Sequence, residues 1–444
     1  MTTRIDTSSV AAPSALLSRR EAVGRGAAAT LAAARLLAPS LFVGCSLGIP
    51  PRQPRVAVGM LHSQTGPLAI SATSLRDIQL HACERINAAG GVLGRLVDVM
   101  APDTRSRNDL FVKRCRRLLD AGVTALFGCW TSSSRKAVLP LVEEAKRLLF
   151  YAVQYEGNES SKYCVYGGMV PNQQIFPALD WLTGEGGGRR KKFFLVGSDY
   201  VYPRTANFIA TKYLATLGLE PVGEAYVPLG GRDFAAVAAR IRESGADCVF
   251  NTVNGDSNIG LFAALAAAKV DPATVPVMST SIAEDELRGL LPEQVTGHYA
   301  VSCYFQSLDT EANKRWVQGF RDEFGFDRVT GDPLEPGWCL VHLWKAAVEK
   351  AGSFDTEAVR QAFRDGLEYD GPGGRVRLDP KTQHTTKYFR VGRIRSDRQF
   401  DIVHQSAAPL DPDPYPQVAF PGWSCDWTKD GIVRGPEVDI DGDI

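Results

Sequence analysis

The 444-residue chain has length for about two to three domains and ample material for a buried core. Hydrophobic residues make up 44% and charged residues 23%, with Lys plus Arg equal to Asp plus Glu at 50 each. That is an ordinary globular composition, with no net field to recruit nucleic acid or anionic lipid.

In chain order, Ser18-Arg-Arg-Glu-Ala-Val23 is a twin-arginine element followed by an Ala-rich run, Gly24 to Gly44. Basic residues ahead of a weakly apolar stretch read as an export signal over 1–45 rather than as part of a fold. Small Gly44 before Cys45 makes that cysteine a candidate for acylation, and 46–54 a linker. Arg55–Leu61 is a short apolar strand, and Ser74–Asn87 shows apolar residues at helical spacing, stopped by Ala88-Ala-Gly-Gly91. Strand Leu96–Met100, helix Asn108–Asp120, strand Val123–Phe127 and a helix through Leu139 to Lys146 continue the alternation. Strands Leu148–Val153 and Cys164–Tyr166 precede a helix opened by Pro171. The same βα rhythm then restarts: strands at Phe193–Val196, Val222–Val227, Asp247–Asn251 and Val275–Met278 alternate with helices at Arg204–Leu217, Phe234–Ser244 and Ile259–Ala268. Strand Tyr299–Tyr304 and helices Glu311–Phe324, Leu334–Ala351 and Thr356–Phe363 follow, then a β pattern to Val403. Alternation of this kind predicts an α/β fold of parallel sheets covered by helices on both faces, once on each side of about residue 170. After Leu410 the chain is Pro-rich and then acidic, and reads as poorly packed.

Three apolar strands end in turns that combine aromatics with hydrogen-bonding groups: Cys129-Trp-Thr-Ser132, Gln154-Tyr-Glu-Gly157 and Gly197-Ser-Asp-Tyr-Val-Tyr-Pro203. In open α/β sheets the crevice at the carboxyl ends of the strands is where ligands bind, so these turns point to a pocket for a small polar molecule. Nine cysteines show no CxxC pair and no Cys/His ligand spacing, which argues against structural zinc. Cys83, Cys115, Cys129, Cys248, Cys303 and Cys339 read as small buried residues.

Taken with Pro-Asn-Gln-Gln at 171–174, Asn-Gly-Asp-Ser-Asn at 254–258 and Glu-Leu-Arg-Gly at 286–289, these turns closely resemble those of the urea-binding solute receptors of ABC importers, relatives of short-chain amide receptors and sensors. The resemblance runs from about Arg55 to about Leu410. It implies the type I periplasmic binding protein fold, two doubly wound parallel-sheet lobes joined by three crossings. Lobe 1 would hold 55–171 and 300–365, lobe 2 would hold 172–299 and 366–410, and 411–444 would be a loose tail. It further implies that Trp130, Ser132, Tyr151, Gln154, Tyr155 and Glu156 line one wall of the ligand site. Asp199, Tyr200, Tyr202, Asn254 and Asp256 would line the other. Membrane permease subunits would be the partners, with no cofactor and no nucleic acid.

Urea is planar and neutral, so a site for it needs acceptors for the N–H groups, a donor for the carbonyl and flat apolar faces. Glu156 and Asp256 supply acceptors, Ser132 and the tyrosines supply donors, and Trp130 supplies a face. Plainer roles exist for each: packing between strand ends for Trp130 and Tyr155, helix capping for Ser132–Ser134, an ion pair with Arg204 for Asp199, and turn formation for Asp256. Ser133-Ser-Arg-Lys136 fits the S-x-x-K of serine enzymes, but no K-T-G and no G-x-S-x-G accompanies it. The six histidines show no metal or triad spacing. A binding protein, not an enzyme, is the expectation.

Overall fold

The computed structural model describes residues 53–429 and 431–440; the segment expected to be an export signal, 1–45, and with it Cys45, lies outside them. The first half runs β1 (Arg55–Leu61), α1 (Ala69–Ala88), β2 (Leu96–Met100), α2 (Asn108–Asp120), β3 (Ala125–Gly128), α3 (Ser132–Glu144), β4 (Leu148–Tyr151) and β5 (Cys164–Tyr166). Its five-stranded sheet has the order β2-β1-β3-β4-β5, parallel throughout. Strands β3 and β4 are buried at every position, as a parallel sheet covered on both faces requires. Helix α2 shows the complementary pattern: Phe111, Cys115 and Leu118 are buried at helical spacing while Arg116 and Arg117 stay in solvent.

The second half runs α4 (Pro171–Thr183), β6 (Phe193–Ser198), α5 (Val201–Thr216), β7 (Gly223–Val227), α6 (Ala235–Glu243), β8 (Cys248–Thr252), α7 (Ser257–Ala267) and β9 (Val277–Ser279). Then come the short helices α8 (Glu284–Arg288) and α9 (Pro292–Val295), and β10 (Tyr299–Ser302). Along β6, Phe193 and Leu195 join one apolar cluster and Phe194 and Val196 another, so both faces of this sheet are covered.

The chain then returns to the first half with α10 (Glu311–Phe324), α11 (Leu334–Ala351), α12 (Thr356–Phe363) and the hairpin β11 (Leu367–Gly371) and β12 (Gly374–Leu378). It crosses back for β13 (Arg390–Ile394) and β14 (Phe400–Gln405), and ends in the hairpin β15 (Ser424–Asp426) and β16 (Gly431–Val433). The second sheet is seven-stranded, ordered β14-β13-β10-β9-β8-β6-β7, with β13 and β14 antiparallel.

Three expected boundaries shift. Tyr299–Ser302 pairs with β9 and β13, so the return to the first half comes after residue 302, not at 300. The β11–β12 hairpin, expected in the second half with 366–410, buries Leu367, Val376 and Leu378 in the first half's core. The segment after Leu410, expected to be loose, packs: Tyr415, Ala419 and Phe420 are buried, and Trp427 Nε1 donates to Ser160 Oγ at 2.9 Å. Its prolines suggested an extended tail, but its aromatics carry enough apolar area to hold it down.

Across the first sheet, Phe127 and Phe150 stack at 5.0 Å between centroids, and Trp344 of α11 meets Phe127 edge-on at 5.9 Å. Trp344 has 1% of its surface exposed. Trp344→Ala is therefore expected to cost about 3–5 kcal/mol, seen as an earlier denaturation midpoint of the first half; an unchanged midpoint would contradict this account of the core.

Candidate functional site

The first wall is built at the end of β3. Gly128 sits at φ 139°, and a Cβ there would stand 2.4 Å from the Leu61 carbonyl oxygen, so only glycine lets the turn pass β1. Cys129 follows at φ 64°, and the chain then rises into Trp130. Thr131, not one of the three serines after it, caps α3 by accepting from the Ser134 N–H.

Behind this turn lies Arg135, with none of its side chain exposed. Its Nε donates to Glu159 at 2.6 Å, its Nη1 to Ser132 Oγ at 3.2 Å, and its Nη2 lies 3.6 Å from Glu156. The guanidinium carbon is 4.6 Å from the Tyr151 ring centroid and 4.4 Å from that of Tyr155. Burial pushes the Glu159 carboxyl up, and the charges of Arg135 and Lys136 more than reverse this, leaving it at about 2. Ser132 Oγ donates to the other carboxylate of the group, Glu156, at 2.5 Å.

Tyr151 donates to the Trp130 carbonyl at 2.8 Å. Tyr155 donates to the Glu159 carbonyl at 2.8 Å and stacks with Tyr166 at 5.1 Å and with His384 at 5.7 Å. Both tyrosines thus serve the buried guanidinium. The S-x-x-K pair is also divided: Ser133 bonds Thr131, while Lys136 pairs with Glu159 at 3.1 Å.

A cavity of about 10 Å³ lies where the two halves meet. Trp130 and Gln154 line it from the first half; Thr280, Ser281, Ile282, Glu286, Val301 and Ser302 line it from the second, and Asp332 and Pro333 close it. Gln154 crosses the seam, its Nε2 donating to the Thr280 carbonyl at 3.0 Å and to Ser281 Oγ at 2.8 Å. Glu286 crosses in the other direction, accepting from Ser71 of α1 and from the Ala283 N–H. Asp332 accepts from Ser302 Oγ at 2.8 Å and the Cys303 N–H at 3.0 Å through one oxygen. Its other oxygen, and the indole Nε1 of Trp130, are buried without a partner among the described residues. Next to Glu286, burial raises the carboxyls of Glu284 and Asp285 to about 8 and about 7.

Of the eleven residues expected at the ligand, Trp130 and Gln154 therefore line the cavity. Tyr202 stands one bond behind it, its hydroxyl 2.9 Å from Thr280 Oγ1, and the half-buried Tyr200 ring lies 6.3 Å from that of Tyr202. Ser132, Tyr151, Tyr155 and Glu156 surround Arg135. Asp199 is exposed and paired with Arg204 at 2.7 Å, and Asp256 is paired with Arg232 at 2.7 Å. Asn254 turns its amide to the Thr252 carbonyl at 3.1 Å. The sequence reading did not place Thr280, Ser281, Ser302 or Asp332 at the cavity, and it quoted Glu286 only within the Glu-Leu-Arg-Gly motif. The signal for the first two was present: β9 ends in Ser279-Thr-Ser281, a hydroxyl-rich strand end of the kind that drew attention to Ser132.

Since Glu159 is depressed from 4.5 to about 2, its stabilising effect is full above about pH 4.5 and is lost as pH falls through about 2. Glu159→Gln is expected to lower stability at neutral pH by about 3 kcal/mol and to flatten the acid limb of a denaturation-versus-pH curve. An acid limb equally steep in the variant would remove Glu159 from this role.

A model of the periplasmic binding protein domain matches residues 56–420. Leu/Ile/Val-binding protein homolog 6 of Brucella melitensis biotype 1 is 23% identical over 346 residues, 76% of this chain and 87% of the relative. A 118-residue stretch is 29% identical to limonene hydroxylase of Geobacillus stearothermophilus, 27% of this chain; the chain spans 21% of that relative's length. The solute-binding protein of an ABC transporter from Rhodopseudomonas palustris BisB5, solved in complex with 3,4-dihydroxybenzoic acid, is similar with a TM-score of 0.72. Identity to it is 21%, over 81% of this chain and 99% of that one. The matched span takes in both sheets and every residue around the cavity, and the chain belongs to the periplasmic binding protein domain family.

Proposed function

We propose that the protein is an extracytoplasmic receptor that holds urea between its halves and passes it unaltered to the permease subunits of an ABC importer. The observation that carries this reading is the lining of the cavity: an orphan indole donor, an orphan carboxylate acceptor, and no Lys or Arg. A guest carbonyl would accept from Trp130 Nε1, and guest N–H groups would donate to Asp332 and Glu286. A benzoate would bring its carboxylate beside these two acidic groups with no lining cation to balance it, an arrangement that buried charges do not tolerate; an amino acid's ammonium would meet the two acids, but its carboxylate would find no lining Lys or Arg. The cavity, about 10 Å³, has room for about one water, so on this reading the halves part to admit the guest.

Short aliphatic amides are the second reading, supported by Ile282, Val301 and Pro333 at the lining; these would cover a methyl group where urea has its second NH2. The twin-arginine segment and Cys45 support export, with a lipid anchor at that cysteine as part of the same proposal. No helix among the described residues is long and apolar enough to cross a membrane.

Calorimetry with urea, acetamide, isoleucine and 3,4-dihydroxybenzoate, alongside an ammonia-release assay, tests the reading. Urea is expected to bind without turnover, and the two carboxylates not at all. Trp130→Phe, which keeps a ring but loses the donor, should weaken urea binding about tenfold. Tight binding of isoleucine or the benzoate with none of urea would overturn the proposal, as would steady ammonia release.

A further inference from the structure

Away from the seam, α1, α10 and the β11–β12 hairpin enclose a groove of about 660 Å³ whose lining includes His81, Glu84, Glu323, Trp316, Trp338 and Tyr369. His81 and Glu84 are three residues apart on α1, so their side chains leave the same face of the helix. Glu323 comes from α10. One donor atom of each, a ring nitrogen and two carboxylate oxygens, lies within 4.8 Å of the others. We propose that these three residues form a binding site for a divalent transition metal of the zinc class.

The donor set fits such an ion, which takes imidazole and carboxylate ligands together and leaves a position for water. His81 is 8% exposed, opens onto the groove and has no hydrogen-bond partner among the described residues. Its ring is held between Trp338, 5.6 Å away, and Phe324, 6.1 Å away. Burial lowers its basicity, which favours the neutral imidazole that a metal requires. Its Nε2 lies near Gly319 of α10, where a Cβ would stand 3.6 Å off, in ordinary contact. Gly319 and Glu323 are four residues apart, on one face of α10.

Neither Glu84 nor Glu323 has an ion-pair partner among the described residues. Both glutamates are exposed to the groove, which Arg85 and Arg315 also line. Bonds of about 2.1 Å to each ligand bring donor atoms to within about 4 Å of one another. The two exposed glutamates supply that small contraction by rotating about their side-chain bonds.

Calorimetry of the tag-free, chelator-treated full chain with Zn²⁺, Mn²⁺ and Ca²⁺ tests the site. One Zn²⁺ per chain is expected, with Mn²⁺ weaker and Ca²⁺ weakest. Glu84→Gln and Glu323→Gln should each lower Zn²⁺ affinity at least tenfold while leaving the metal-free Tm and the urea isotherm unchanged. Electron paramagnetic resonance of the Cu²⁺-loaded chain should show coupling to one nitrogen, lost in His81→Gln. A Zn²⁺ isotherm identical in both glutamine variants, or well under one Zn²⁺ per chain, would overturn the proposal whatever the protein does with urea.

Discussion

A guanidinium with no exposed surface is the constraint on which the first wall of the cleft depends. Taking Arg135 out of water costs several kcal/mol before any partner is counted, and the surroundings show how that cost is met. Glu156 and Glu159 supply opposite charge, Ser132 adds an acceptor, and the rings of Tyr151 and Tyr155 lie close around it. Each of these residues is held by Arg135 as much as it holds it. The Trp130 carbonyl is tied in turn by Tyr151, so the indole reaches the seam from a backbone that the ion cluster has already fixed.

The repeated βα rhythm was legible because buried parallel strands read as unbroken apolar runs and their helices as amphipathic ones. Val123–Phe127 and Leu148–Val153 could hardly be anything else, and the family resemblance supplied the topology. What could not be read was direction. The stretch Val153-Gln-Tyr-Glu156 follows the end of β4 as irregular chain, where no period of two applies, and its spacing does not say which side chains face the cleft. Gln154 reaches across the seam, while Tyr155 turns to Glu159 and His384. Three acidic residues in succession, Glu284 to Glu286, have the composition of a solvated turn, yet all three are buried. Only the approach of α1 from the other half, far away in sequence, makes that burial intelligible.

The same holds for the segment after Leu410. Pro414 accepts from the Asn158 N–H at 2.7 Å in the first half, while Phe420 enters an apolar cluster of the second. A composition rich in proline concealed a strap that spans both sides of the crossings. Gly157 is part of the reason it can lie so close: a Cβ there would stand 2.5 Å from the Pro414 carbonyl oxygen.

The winding order offers one consequence of its own. The first sheet runs β2-β1-β3-β4-β5, and the core of the second runs β7-β6-β8-β9-β10: one plan of assembly, used twice. Gln154 follows the fourth strand of the first series, and its partners Thr280 and Ser281 follow the fourth strand of the second. Matching positions of two like halves are thus brought face to face, as in a dimer whose subunits share a single chain.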